Sequence, residues 1–569
     1  MRWIGPLMAG LLLWGCAQME PPPGGPQDRT APAVEGHHPP AGSTAVSGLV
    51  ELSMTFSEGM NHTTVEEALF ISPALERPPR LKWRGGTLRV RPEDPLQADQ
   101  TYVITLGVGC KDLHNNNMEN SYSFAFSTGQ AIDEGQVAGT AVLSDRPDGD
   151  VFRPRGGVDL WAYRWSPGEG PNPAADPPDY ITQADERGRY RLTHLGPDRY
   201  RIFAVEDRNR DRRWNPAEEL LGLPSADANL SHEPFSIELG PMGLVMMDTL
   251  GPSLQSARAI HRSAVMLSFD EDLDSVRAAA PQAYRIEMLG DHPDTLGLLS
   301  VSLSWERSNQ VVLSTRSQIE GAAYRVTVTG LIDRAGNPVR PGGRQAHFPG
   351  TGWADSSGPR MEFAWPPDSS GQVSLRVSPT LFFDEAVEPA SLKSAFSLTD
   401  TSGRMIEGHF RFLHGAAAAF EPLEPLESDC WYAIELEGSV IRNLTGHVTA
   451  DTTVIIRFRT LDEERLGSVS GAVERRSYPP EAPAVILAFG PAGRARTHRH
   501  QVSGSEYVLD DMPPGAYIVS AFLDLNQDGR WNPGRPAPFQ FAEPLWLAAD
   551  SVSVRSRWET AGVTLTFRP

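Results

Sequence analysis

The stretch ELSMTFSE at residues 51–58 alternates apolar and polar side chains and ends in an aromatic residue followed closely by an acid. The same pattern recurs as AVMLSFDE at 264–271 and as PTLFFDE at 379–385. Alternation at period two, bounded by turn residues, predicts a β-strand with one buried face. The chain therefore contains three copies of one strand-forming pattern.

Each copy is followed by the same later elements. In the first copy these are an aromatic-led strand TYVITL from residue 101, a polar turn KDLHNNNM and a closing strand YSFAFSTG. Three such sets predict three antiparallel β-sandwiches of about 100 residues each. We place them at residues 31–130, 249–352 and 356–461.

The two remaining stretches repeat each other on a second pattern. The segments that end in AVEDRNRDRRW at 204–214 and AFLDLNQDGRW at 521–531 align without a gap over their preceding strands. Their matched positions are Tyr190, Tyr200, Asp207 and Trp214 in one and Tyr507, Tyr517, Asp524 and Trp531 in the other. This pattern predicts two further compact antiparallel sandwiches, at residues 135–247 and 466–569.

The first set of repeats resembles bacterial SbsA-type Ig-like domains, through the F-S/D-E strand end and the D-x-x-G-N turn at 333–337. The second set is similar to transthyretin-like or carboxypeptidase regulatory-like domains, through its G-x-Y-x-L core. The resemblance implies an all-β fold, a tandem array of small antiparallel Ig-like and transthyretin-like β-sandwiches that follows a signal peptide and a flexible tether. It also implies a bacterial lipoprotein of the cell envelope.

The N-terminus predicts export. Residues 1–15 carry a positive charge at Arg2 and then an apolar run, which is typical of a signal peptide too short to span a bilayer permanently. Leu13 to Cys16 resembles a bacterial lipobox, so we expect Cys16 to carry the lipid anchor. Residues 16–30, rich in Pro and Gly, predict a flexible tether. Because Ala17 is no inner-membrane retention signal, resemblance to envelope lipoproteins indicates the outer membrane; a plain signal peptide is the alternative.

Charge and cysteine content limit the function further. The chain has 569 residues and a formal net charge of −21, which excludes the basic footprint that nucleic acid requires. Besides Cys16 there are only Cys110 and Cys430, far apart in the chain, so we expect buried apolar thiols and no disulfide framework.

The repeated D-x-N-x-D loop is a candidate calcium site, because an EF-hand-type loop places oxygen ligands at positions 1, 3, 5, 9 and 12. It follows a strand, so a true EF-hand is excluded. The alternative is a turn in which Asp and Asn side chains accept hydrogen bonds from backbone N–H groups. The candidate ligands are Asp207, Asn209, Asp211 and Glu218 in the first copy and Asp524, Asn526, Asp528 and Asn532 in the second.

Other residues bear on binding and catalysis. Trp214 and Trp531 follow the loop in both copies and are candidates for stacking on a ligand, or for packing over the sandwich edge. One glutamate ends the first strand of each predicted Ig-like domain. We expect these glutamates to lie apart in separate domains and to be turn or interface residues, without the paired carboxylates of glycoside hydrolysis. They are Glu58, Glu271 and Glu385.

Three functional hypotheses follow. The first is a non-catalytic envelope lipoprotein, a modular spacer, binding or adhesion protein that contacts an envelope protein or polysaccharide. The second is a carbohydrate-binding accessory protein of the cell surface. The third is an enzyme whose active site lies at a domain junction, which would require converging acids and histidines there. No familiar catalytic motif is recognisable in the sequence, so we expect no enzymatic activity.

Overall fold

The structure is a computed structural model that describes residues 28–144, 152–166, 168, 170–290, 294–450, 453–490 and 496–568. It is 46% strand and 6% helix, with many small antiparallel sheets, so the all-β prediction is confirmed. The predicted signal peptide, Cys16 and most of the predicted tether lie outside the described residues. We call 31–130, 249–352 and 356–461 sandwiches 1, 2 and 3, and 135–247 and 466–569 units A and B.

Sandwich 1 packs a four-stranded sheet on a three-stranded sheet. Inward-facing side chains such as Met54, Leu88 and Ile104 form its core, because alternate strand positions face one side. A short helix spans His62–Glu67. The first sheet contains Val34–His38, Leu52–Phe56, Thr87–Arg91 and Arg80–Arg84, and the second contains Leu69–Ser72, Thr101–Leu106 and Tyr122–Ser127, each in spatial order.

Sandwich 2 packs two four-stranded sheets around Val265, Leu313 and Val326. A short helix at Ser275–Ala278 begins after Asp274, whose side chain accepts a hydrogen bond from the Arg277 backbone N–H. One sheet contains Leu254–His261, Ala264–Phe269, Gln310–Thr315 and Leu298–Leu303, and the other contains Asp294–Thr295, Tyr284–Met288, Ala323–Val328 and Gln345–Pro349. Single 3-10 turns span Pro281–Ala283 and Pro341–Gly343.

Sandwich 3 repeats this plan around Leu381, Ile434 and Phe458. Its helix spans Pro389–Ala395, with 3-10 turns at Gly438–Val440 and, after the last strand, Glu463–Arg465. One sheet contains Met361–Trp365, Thr380–Phe383, Ala417–Pro422 and Gly408–His414, and the other contains Ser370–Val373, Thr453–Thr460, Trp431–Glu437 and Phe396–Asp400.

Unit A forms one ten-stranded sheet, whereas unit B forms a five-stranded sheet, a four-stranded sheet and a hairpin. In both units two adjacent strands carry long apolar runs. In unit A the path is Tyr180–Gln183, Asp159–Arg164, Arg199–Val205, Leu221–Gly222, Met242–Val245, Gly135–Ser144 and Arg189–Leu195, joined by Phe152–Pro154, Ala228–Asn229 and Ser236–Glu238. Unit B contains Arg496–Val502, Ala484–Gly490, Gly515–Leu523, Leu545–Leu547 and Val552–Val554, then Glu506–Met512, Gly467–Glu474, Glu559–Thr560 and Leu565–Thr566, and the hairpin Arg535–Pro536 and Phe539–Gln540.

Units A and B are joined by a common apolar core. Each unit has its own core on one face of its central strands. The opposite faces, which carry Trp161 and Phe203 in unit A and Leu487 and Phe522 in unit B, pack into one further cluster. Both faces of these strands are therefore buried, which explains why they are apolar without alternation.

The cysteines and helices complete the description. Cys110 is buried and burial raises the pKa of its thiol to about 12, as expected of an apolar thiol. Cys430 is only half-buried, which corrects the expectation for that residue. In the part of the chain that the structure describes, no helix has the length and apolar character needed to cross a bilayer.

Candidate functional sites: two repeated loops and three acidic corners

The loop of unit B, residues 524–532, is closed by its own side-chain oxygens. Asp524 is buried, and its two carboxylate oxygens accept hydrogen bonds from the backbone N–H groups of Asp528 (3.1 Å) and Gly529 (2.9 Å). Asn526 Oδ1 accepts the Asp528 N–H (3.1 Å), and Asn532 Oδ1 accepts the Gly534 N–H (2.8 Å). All four predicted ligands therefore lie in one loop.

The loop of unit A, residues 207–219, repeats this arrangement. Asp207 accepts the backbone N–H groups of Arg210 (2.7 Å) and Arg212 (3.0 Å). Asn209 Oδ1 accepts the N–H of Asp211 (3.0 Å), and the Asn209 side-chain amide donates to Asp211 Oδ2 (3.1 Å). These contacts match the turn alternative, and calcium binding stays a prediction.

The acid that holds each loop is one that sequence reasoning missed. Glu219 is buried and its carboxylate accepts the N–H groups of Arg208 and Asn215, both at 2.9 Å. Glu543 does the same in unit B, accepting the N–H groups of Leu525 (2.7 Å) and Asn532 (3.0 Å). The predicted ligand Glu218 is exposed instead. The repeated loop could have prompted a search for a second shared acid beyond it.

The two tryptophans are buried. Trp214 is 4% exposed and Trp531 is 3% exposed. Each indole N–H donates to the backbone carbonyl of the loop glutamate, Glu219 or Glu543, at 3.0 Å. Stacking on a ligand requires an exposed ring, so that alternative does not describe this conformation, whereas packing accounts for both residues.

The three strand-end glutamates lie in separate sandwiches, as expected, but other acids lie beside each of them. In sandwich 1, Glu58 lies with Asp28, Asp112 and His114, with one ligand-type atom of each inside 4.8 Å. A cavity of about 810 Å³ opens beside Glu58. In sandwich 2 the cluster is Asp248, Glu271 and Asp333. We call these clusters acidic corners, and they bring the entry of a sandwich, its first strand and a late turn together.

Burial sets the ionisation of the second corner. Loss of solvent, and then the carboxylates of Asp248 and Asp333, raise the pKa of Glu271 to about 7. Asp333 is itself tied to the Asn337 side-chain amide at 2.9 Å. The Glu271 carboxyl therefore retains its proton more readily than an isolated glutamate, because its ionised form would lie partly desolvated beside two carboxylates.

The third corner joins sandwich 2 to sandwich 3. His261, from sandwich 2, lies with Asp355 and Glu385, and burial lowers the pKa of His261. Here Asn443 takes the place of the late-turn Asp, and its amide donates to Asp355 Oδ2 (2.7 Å) and Glu385 Oε1 (3.2 Å). Converging acids and a histidine at a junction are what the enzyme hypothesis required. Thr445 also donates to Asp355, however, so hydrogen bonds account for this group as a structural network.

Comparison with known proteins supports the Ig-like assignment for two segments. Residues 28–128 and 355–460 match the family model of the bacterial Ig-like domain. The matched segments include neither sandwich 2 nor units A and B, so the transthyretin-like resemblance stays a prediction. The search of curated proteins gave no match.

Solved structures give only distant likenesses. The N-terminal part of the bacterial S-layer protein SbsC is 18% identical, with 37% of this chain and 44% of that chain covered and a TM-score of 0.17. An L,D-transpeptidase from Mycobacterium smegmatis is 15% identical (30% and 76% covered, TM-score 0.14). The alpha-2-macroglobulin of E. coli is 11% identical (87% and 33% covered, TM-score 0.14). The chain spans less than half of the SbsC structure, and at these TM-scores no activity or partner follows.

Proposed function

We propose that this chain is a non-catalytic, lipid-anchored protein of the cell envelope that presents Ig-like sandwiches for binding or adhesion. The bacterial Ig-like segments support a modular surface protein. The leader and Cys16 support the anchor. The observation that carries the proposal is the common core of units A and B, because it packs two modules that are far apart in the chain against each other.

The contacts between the two units are extensive. The Trp531 ring meets Phe152 of unit A edge-on, with ring centroids 5.1 Å apart. Phe539 lies over the guanidinium of Arg201, which is 3.6 Å from the ring centroid. The backbone N–H of Ala542 donates to the Pro224 carbonyl at 3.1 Å. Aromatic, cation–π and backbone contacts together are typical of a stable internal interface.

The other modules are also tied to their neighbours. Ser72 of sandwich 1 accepts the backbone N–H of Ile181 in unit A at 3.1 Å. The Trp305 ring of sandwich 2 stacks on Phe363 of sandwich 3, with centroids 4.3 Å apart and planes 5° apart. A body held at several places loses little conformational entropy when it binds, which favours tight association with an envelope partner.

Envelope attachment is tested by labelling the full precursor with a radioactive fatty acid in a bacterial host. We expect label and membrane association in the parent chain, and loss of both in Cys16→Ala. Cys430→Ala is the matched control, because that thiol lies in sandwich 3, and it should keep both. A parent chain without label would contradict the anchor.

The kind of partner is tested with envelopes from the same host. We expect the chain, expressed from residue 17, to bind them. Loss of binding after protease treatment of the envelopes supports a protein partner. Loss after periodate oxidation supports a polysaccharide, the second hypothesis, for which the half-exposed ring of Trp365 offers a stacking surface. No binding before either treatment would contradict the proposal.

We also propose that the two loops bind calcium, since their oxygens recur at one spacing. Titration calorimetry on the full chain should show saturable heat that Asp524→Ala with Asp528→Ala reduces, and that Asp207→Ala with Asp211→Ala reduces further. Heat that survives all four replacements but is lost in Glu271→Gln would place the ion at an acidic corner. The absence of heat would leave both loops as hydrogen-bonded turns.

A further inference from the structure

We propose that the two D-x-N-x-D loops are docking elements, each of which holds an Ig-like sandwich against its transthyretin-like unit. This role is independent of calcium and goes beyond the proposed function, which assigns the loops no partner. The partner of each loop is the segment of a sandwich that follows its strand-end glutamate.

The loop of unit A docks on sandwich 1. Arg210 forms an ion pair with Glu67, the last residue of the short helix. The guanidinium of Arg212 lies 5.9 Å from the ring centroid of Phe70. Phe70 and Trp214, a residue of the loop, also belong to the common apolar core. One loop therefore makes ionic, cation–π and apolar contacts with one sandwich.

The loop of unit B docks on sandwich 2, far from it in the chain. Arg530 Nη1 lies 3.4 Å from Asp274 Oδ2, the residue that caps the short helix of that sandwich. Arg535, just beyond the loop, donates to the carbonyl of Gly336 in the late turn. Glu67 and Asp274 both lie between the strand-end glutamate and the next strand, so the two loops meet related places on two sandwiches.

Each loop is suited to docking because its acidic side chains accept hydrogen bonds from the backbone of the loop itself. Backbone N–H groups donate to the Asp and Asn oxygens and to the buried glutamate. These hydrogen bonds fix the shape of the loop independently of its contact with a sandwich. Arg210 and Arg530 form ion pairs outside their loops. In a chain of net charge −21 they meet acidic side chains on the neighbouring sandwich.

Trp531 extends the docking of unit B to unit A. Its ring lies against the backbone of Gly243, where an added Cβ atom would overlap it. Gly243 belongs to a strand of unit A and pairs with Val142. A glycine at this place lets the indole approach the sheet, so this loop holds three modules together.

The docking of the unit A loop is tested by reversing charges in the full chain and measuring hydrogen exchange of the backbone amides without calcium. We expect Arg210→Glu and Glu67→Arg each to raise exchange in segments 62–72 and 207–214, and the combined exchange of charges to restore protection. Arg213→Glu, exposed in the same loop, is the control and should leave both segments as they are. Unchanged exchange in both single variants, or a combined variant no better protected than either, would overturn the proposal.

The contact of the Trp531 ring with Gly243 is tested separately with Gly243→Ala, since Trp531→Ala could unfold unit B. We expect faster exchange in segment 527–545 and in residues 270–278 of sandwich 2, with a larger radius of gyration in solution scattering. Exchange and radius equal to those of the parent chain would overturn the role of Trp531 in docking.

Discussion

Single residues explain why the repeated loop keeps its shape. Glu219 and Glu543 are buried carboxylates whose oxygens accept backbone N–H groups, and their own carbonyls accept the indole N–H groups of Trp214 and Trp531. Neighbouring positions differ sharply in this respect, because Glu218 is exposed. Of these two adjacent glutamates, Glu218 is therefore a solvated acid and Glu219 a structural one.

Replacing Glu219 with alanine should destabilise unit A strongly. The change leaves the N–H groups of Arg208 and Asn215 without their acceptor, at a cost of about 2 to 4 kcal/mol in the free energy of unfolding. Glu218→Ala, the matched control, should change it by no more than about 0.5 kcal/mol. Chemical denaturation of the two variants measures the difference, and equal effects would contradict the assigned role of Glu219.

Replacing Glu271 with glutamine should stabilise sandwich 2 at alkaline pH. The folded pKa of about 7 lies above the unfolded value of 4.5, so the folded state holds the proton more tightly, and stability falls as pH rises from about 5 to 8. Glutamine cannot ionise, so the melting temperature should rise at pH 8 and barely change at pH 5. Melting in EDTA across this range measures the effect. A gain that is the same at both pH values would contradict the charge argument.

Single elements show how strands in units A and B differ from those in the sandwiches. In the sandwiches, strands such as Ala264–Phe269 alternate between buried and partly buried positions. The run RYRIFAV at Arg199–Val205 is buried at six successive positions from Tyr200. It contains Arg201, whose side chain is 5% exposed and pairs with Asp227 through contacts of 2.8 and 2.9 Å. A strand in the middle of two packed layers thus accommodates a charge only with its partner beside it.

Arg201→Ala should lower the free energy of unfolding by about 3 kcal/mol, because it leaves the largely buried carboxylate of Asp227, 14% exposed, without its cation. It also removes the cation under the Phe539 ring and so weakens the contact between the units. Arg191→Ala, at an exposed position of the strand that precedes the Arg201 strand in the chain, is the control. Arg201→Met combined with Asp227→Leu should recover most of the loss in the same denaturation measurement. A loss in Arg191→Ala as large as in Arg201→Ala would argue against burial as the cause.

At the scale of the whole molecule, the common core makes units A and B depend on each other. Unit B contributes residues such as Leu487, Phe522, Trp531 and Leu545 to a cluster that also contains residues of unit A and Phe70 of sandwich 1. Sandwich 3, in contrast, has a core made of its own residues. The five modules should therefore differ in whether each remains folded and monomeric when it is expressed alone.

Fragments should reveal this difference. We expect residues 466–569 alone to bind a hydrophobic dye and to self-associate, because the face that packs on unit A becomes exposed. Residues 356–461 should remain monomeric with little dye binding. Dye fluorescence and gel filtration compare the two fragments with the full chain. A monomeric fragment 466–569 without dye binding would contradict the importance of the common core.

The amino-acid sequence by itself determined the all-β class, because the alternation of stretches such as ELSMTFSE is a local property that each strand carries with it. It also located the two loops, since Asp and Asn spacing is local too. Only the tertiary structure decided that Glu219, and not Glu218, holds its loop, that Trp214 and Trp531 are buried, and that the strand-end glutamates meet other acids. These outcomes depend on contacts between segments far apart in the chain, which no local pattern encodes. That the central strands of units A and B are buried on both faces, and which module covers them, also follows from three-dimensional packing alone.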